Sequence, residues 1–80
     1  MNTGDLLERI TTNPELMVGK PTIRGMRITV EQILRAIAFG VTTDELLDDY
    51  PELEEEDIQA ALLYAAELVG EERVFTVYAA

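Results

Sequence analysis

The sequence predicts a mainly α fold: a three-helix, helix-turn-helix core with a short N-terminal β element before it and an extended C-terminal tail after it. Three observations carry this. Apolar residues recur at helical spacing over about residues 30–39, 43–49 and 55–69, with Gly40 and Tyr50-Pro51 as breakers between them. Residues 13–29 hold Pro14, Gly19, Pro21 and Gly25, which forbid a long helix there. The tail Arg73-Val74-Phe75-Thr76-Val77-Tyr78 is β-branched and aromatic, the composition of a strand or a docking arm.

Taken in order, Thr3 to Glu8 suit about one helical turn, which leads into a short strand at Arg9-Ile10-Thr11. Asn13-Pro14 marks a turn. Extended pieces at Thr22-Ile23 and Arg27-Ile28 are candidates to pair with residues 9–11. The first long helix runs from about Val30 to Phe39, with Val30, Ile33, Leu34, Ile37 and Ala38 as its apolar stripe. Thr29 stands at its cap and Glu31 in its acid-favouring first turn, and Gly40 suits the left-handed residue that ends it. The second helix is short, about Thr43 to Asp49. Thr42 and Glu45 form a capping box, Val41 and Leu46 the accompanying staple. Tyr50 ends it, because the residue before a proline is pushed out of helical geometry. The third helix starts at Glu54 or Glu55 and ends at Gly70. Ile58, Ala61, Leu62, Ala65 and Val69 form its inner face, but Ala60, Leu63, Tyr64 and Ala66 make the outer face apolar too. A helix apolar nearly all round is covered on both sides.

Eighty residues make one domain with a thin core. The chain contains no cysteine, histidine or serine. Disulfide and thiol chemistry are therefore excluded, and the commonest general base and metal ligand are missing. No catalytic spacing, phosphate-cradling loop or metal-ligand set appears, so neither enzymatic activity nor a cofactor is expected. No apolar run approaches the ~20 residues of a membrane span, and the N-terminus lacks the basic-then-apolar order of a signal peptide; a cytoplasmic location is expected. With a formal net charge of −10, broad non-specific attachment to nucleic acid or an anionic membrane is disfavoured, whereas a basic protein partner is favoured.

One stretch stands apart. Residues 17 to 30 hold Lys20, Arg24 and Arg27, three of the six basic residues. In sequence order come Ile10-Thr11, Gly19-Lys20-Pro21, Ile23-Arg24-Gly25, Arg27-Ile28 and Val30. After them follow Gly40, Glu45-Leu46-Leu47, Tyr50-Pro51, Leu53, Asp57-Ile58, Ala60-Ala61 and Tyr64-Ala65. This series, over about residues 9 to 66, resembles the small prokaryotic domains grouped as domain-of-unknown-function family 433. The resemblance implies a homeodomain-like three-helix core. It also implies kinship with the antitoxin half of toxin–antitoxin pairs whose toxin is nuclease-like. The chain departs from that pattern at Glu54, where the family usually places a capping Thr.

Lys20, Arg24 and Arg27 are candidate phosphate-binding residues; alternatively the two arginines pair internally with Glu31, Asp48 or Asp49. DNA reading by the third helix is opposed by Glu52, Glu54, Glu55, Glu56 and Asp57 at the end that would enter the groove. The run from Asp48 to Asp57 lacks the glycine and spacing of a calcium loop. It reads as a solvated acidic face, or as a surface that docks on a basic, RNA-binding one. Leu63, Tyr64, Phe75, Val77 and Tyr78 are the candidate protein-binding residues, with the tail docking in cis or in trans. The expected function is a non-enzymatic, antitoxin-like protein-binding module that covers a nuclease-like toxin, with a homodimer completing the small core. The alternatives are a dimeric DNA-binding regulator acting through Lys20, Arg24 and Arg27, and a stand-alone adaptor dimer.

Overall fold

A computed structural model describes residues 3 to 71. The order is α1 (Thr3–Leu7), β1 (Ile10–Thr11), β2 (Thr22–Ile23), α2 (Val30–Ala38), α3 (Thr43–Asp49) and α4 (Glu55–Glu71). The tail lies outside the described residues.

Strands β1 and β2 pair antiparallel, Ile10 opposite Ile23 and Thr11 opposite Thr22. Thr29 bridges Thr22 from the other side, and the Ile23 amide donates to the Ile28 carbonyl at 3.0 Å. The 27–28 region therefore joins the β element through β2, not through residues 9–11. Pairing in this element is reinforced by the two threonine hydroxyls, 3.0 Å apart at Thr11 and Thr22.

The helix ends follow the local sequence signals. Thr29 accepts from the Gln32 amide at 3.0 Å while Gln32 accepts from the Thr29 amide at 2.8 Å, a capping box at the start of α2. Gly40, at φ +93°, closes α2 with paired bonds from Gly40 to Ile37 and from Val41 to Ala36. Thr42 and Glu45 make the reciprocal box that starts α3, and Tyr50 leaves helical geometry at ψ 83° ahead of Pro51. In contrast, α4 continues through Gly70 to Glu71. Gly70 takes no positive φ and makes no left-handed cap, so it costs the helix some stability without ending it.

Ile23, Ile28, Val30, Ile33, Leu46, Leu53, Ile58 and Ala61 form one buried cluster. The β element contributes two of these side chains directly, so the irregular segment is part of the core. α2 packs on α3 and α4, and both α1 and β1 lie against α4. Ala60, expected on the outer face, is fully buried, and Leu63 and Tyr64 are half-buried. The first half of α4 is thus covered on more than one side. Its second half is not: from Ala66 to Glu71 every residue is exposed.

Candidate functional site

The basic segment is built on two left-handed turns. In the first, Met17, Val18 and Gly19 all sit at positive φ (52°, 57° and 76°), closed by a bond from the Lys20 amide to the Met17 carbonyl. A β-branched residue in this region is a genuine outlier, and Val18 is also 92% exposed. The second turn carries Arg24 and Gly25 at φ 45° and 73°, with the Met26 amide donating to the Ile23 carbonyl at 2.8 Å. Two successive positive φ values are the pattern of a type I′ turn, where arginine is an unusual occupant.

The reason for arginine there is the bond that its side chain makes. Arg24 forks onto Asp57, Nε to Oδ1 at 3.0 Å and Nη2 to Oδ2 at 2.8 Å, and Nη2 also donates to the Glu52 carbonyl at 2.9 Å. Arg9 reaches the same carboxylate, Nη1 to Oδ1 at 2.9 Å, and Glu54 at 2.7 Å. The Glu54 amide completes the set, donating to Asp57 Oδ2 at 2.8 Å. Asp57 is fully buried, and no described buried side-chain polar atom lacks a hydrogen-bond partner. Burial pushes its carboxyl pKa up, but the Arg24 hydrogen bonds, the Glu54 amide and Arg9 outweigh it and hold the group below the usual range.

This cluster corrects one expectation. Asp57 does not belong to the solvated acidic face; it caps α4 from inside, and two arginines neutralise it. Bonding of the Asp57 side chain to the residue-54 amide also does half the work of a capping box, so Glu54 suffices where a threonine would otherwise stand. Asp48, Asp49, Glu52, Glu54 and Glu55 do remain exposed.

The three candidate phosphate ligands have three different surroundings. Lys20 pairs with Glu31 at 2.8 Å, and Arg35 holds the other oxygen of that carboxylate at 2.9 Å, which together lower the Glu31 pKa. Arg24 is engaged by Asp57, and not by Glu31, Asp48 or Asp49. Arg27 makes no ion pair among the described residues. The three side chains therefore present one unneutralised cation. Arg9, which anchors the cluster from 48 positions away, was not anticipated. Its only local sign is that it is the first basic residue and directly precedes β1.

A second feature lies between α2 and α4: a groove of about 340 Å³ lined chiefly by Pro21, Val30, Leu34, Tyr64, Ala65 and Leu68. Arg35 and Glu31 stand in its lining as well. Of the candidate protein-binding residues, Tyr64 is in this groove and Leu63 is half-buried outside its lining, while Phe75, Val77 and Tyr78 lie outside the described residues. Leu62 (47% exposed), Leu68 (47%) and Val69 (70%) extend the apolar surface along α4, a helix without a single basic residue. No group of three or more metal-ligating side chains occurs among the described residues, and no described helix is long and apolar enough to cross a membrane.

Over 70 residues the chain is 34% identical to the uncharacterized protein y4eO of Sinorhizobium fredii (strain NBRC 101917 / NGR234). That match takes in 85% of this chain but 32% of the relative, so the chain spans about a third of the relative's length. No solved structure matches the chain. The family described as "Protein of unknown function (DUF433)" matches residues 10–65, from β1 through the Asp57 cluster into the middle of α4, and the chain belongs to that family.

Proposed function

We propose that this chain is a non-enzymatic protein-binding module that works as the antitoxin-like partner of a nuclease-like protein. The observation that carries the reading is the α2–α4 groove, continued by Leu62, Leu68 and Val69 on the exposed half of α4. Apolar side chains at this density on a small acidic domain are characteristic of an association surface. Exposed carboxylates from Asp48 to Glu55 supply the long-range attraction toward a basic partner, which speeds encounter and sets orientation. A nuclease surface that binds RNA phosphates is basic, so the acidic end of α4 occupies the position of the nucleic acid and blocks it. Internal pairing of Lys20 and Arg24 supports protein over DNA as the partner, because it leaves little positive charge for phosphates.

Co-expression with the product of the adjacent gene tests this. The two proteins are expected to co-purify, and the double variant Leu68→Asp, Val69→Asp to abolish the complex while far-UV circular dichroism stays unchanged. Failure to co-purify, or a complex indifferent to the two aspartates, would remove the reading. Sedimentation of the isolated chain separates a partner-dependent module from a homodimer built on the same face.

A further inference from the structure

Arg27 is the described cation that the fold does not use. Arg9, Lys20, Arg24 and Arg35 each hold a carboxylate at 2.9 Å or less, in a chain with 16 acidic residues. Among the described residues Arg27 has none, and it is exposed. It lines a pocket of about 410 Å³ whose other walls include Leu16, Met26, Ile28, Tyr50 and Glu52. The pocket is built, not incidental. Two of its walls are the Ile23–Ile28 turn and the Tyr50–Glu52 turn, with Leu16 as a third, and Arg24 staples the first two by bonding the Glu52 carbonyl at 2.9 Å. The Asp57 cluster then fixes Arg24 itself. An arginine on a rigid turn is preorganised to bind, since little order remains to be imposed on the backbone that carries it.

We propose that this pocket receives an acidic side chain of a protein partner, with Arg27 forking onto the carboxylate and the Leu16, Met26 and Tyr50 walls covering an adjacent apolar residue. Three considerations select this ligand. A guanidinium recognises planar carboxylates through two parallel hydrogen bonds. Glu52 flanks the pocket and the whole chain is strongly negative, so a singly charged carboxylate is neutralised by Arg27 while a phosphate dianion would carry one uncompensated charge into that field. A terminal carboxylate is usually caught by successive free amides, but the Gly25 and Met26 amides are already bonded to Thr11 Oγ1 and the Ile23 carbonyl. The site lies apart from the α2–α4 groove and stands or falls without the proposed antitoxin role.

The test is an amide-resolved NMR titration of the full chain with three probes: acetyl-Leu-Glu-amide, its neutral isostere acetyl-Leu-Gln-amide, and phenyl phosphate. The Glu peptide is expected to saturate shifts at the amides of residues 25–28, with a millimolar constant as befits so small a ligand. The Gln peptide and phenyl phosphate are expected to bind at least fivefold more weakly. Arg27→Gln, at an exposed position, should leave the spectrum otherwise intact and abolish the difference between the two peptides. Equal binding of the peptides, tighter binding of phenyl phosphate, or an unchanged preference in Arg27→Gln would each overturn the proposal.

Discussion

Asp57 shows how one side chain fixes a small domain. It is buried, yet it accepts four hydrogen bonds from three separate segments: Arg9 before β1, Arg24 in the turn after β2, and the Glu54 amide ahead of α4. Buried ion pairs are often no better than well-packed apolar residues, but removing one partner alone is costly because the other charges stay behind. Here the arginine side chains are 20% and 37% exposed, so water recovers part of that cost. Asp57→Ala is therefore expected to destabilise the fold by about 2–4 kcal/mol, read from urea unfolding midpoints. The same group gives a pH signature. Its folded pKa is depressed, so its stabilising contribution is complete above the ordinary aspartate value of about 4 and fades as pH falls through the lower folded value. Wild-type stability should drop below about pH 4 more steeply than that of Asp57→Asn. Parallel curves for the two proteins would show that the carboxylate is not held as described.

At the scale of elements, most boundaries were legible because they rest on local chemistry. The boxes at Thr42 and Glu45, the cap at Thr29, the left-handed Gly40 and the Tyr50-Pro51 stop each involve residues within a few positions of one another. The Asp57 cluster was not legible, because Arg9 and Arg24 meet it across 48 and 33 positions and no periodicity marks such a pair. Gly70 departs from its signal for the opposite reason: a local stop is present in the sequence, and the helix runs through it to Glu71. The Met17–Gly19 turn was legible as a break but not as a strained one. Its Val18 adopts a backbone conformation that a β-branched residue resists, and at almost complete exposure no burial offsets that strain. Asparagine tolerates the left-handed region, so Val18→Asn is expected to stabilise the protein by about 0.5–1 kcal/mol. A thermal melt raised by about 2–8 °C would register it. An unchanged or lowered melt would mean that the turn relaxes without strain in solution.

The whole molecule is governed by an excess of negative charge that its few cations do not cancel. The chain carries 16 acidic and six basic residues, and its longest described helix alone, 17 residues, is about 25 Å long. At about 0.01 M salt the screening length is about 30 Å, comparable to the molecule, so every exposed carboxylate acts on every other. At about 0.15 M it falls to about 8 Å, and only near neighbours interact. Screening thus relieves the self-repulsion of the folded state. It also weakens the exposed Lys20–Glu31–Arg35 contacts, each a small stabiliser, but barely touches the buried Asp57. Repulsion among the many should exceed attraction within the few, so the melting temperature is expected to rise by several degrees between these two salt concentrations. If the proposed basic partner is steered by this charge, the same ions screen that attraction, and the complex should weaken over the range in which the isolated domain gains stability. These opposed trends separate surface charge kept for a partner from charge that serves the fold. A melting temperature that falls with salt would assign the acidic residues to internal ion pairing and leave the partner-steering role without support.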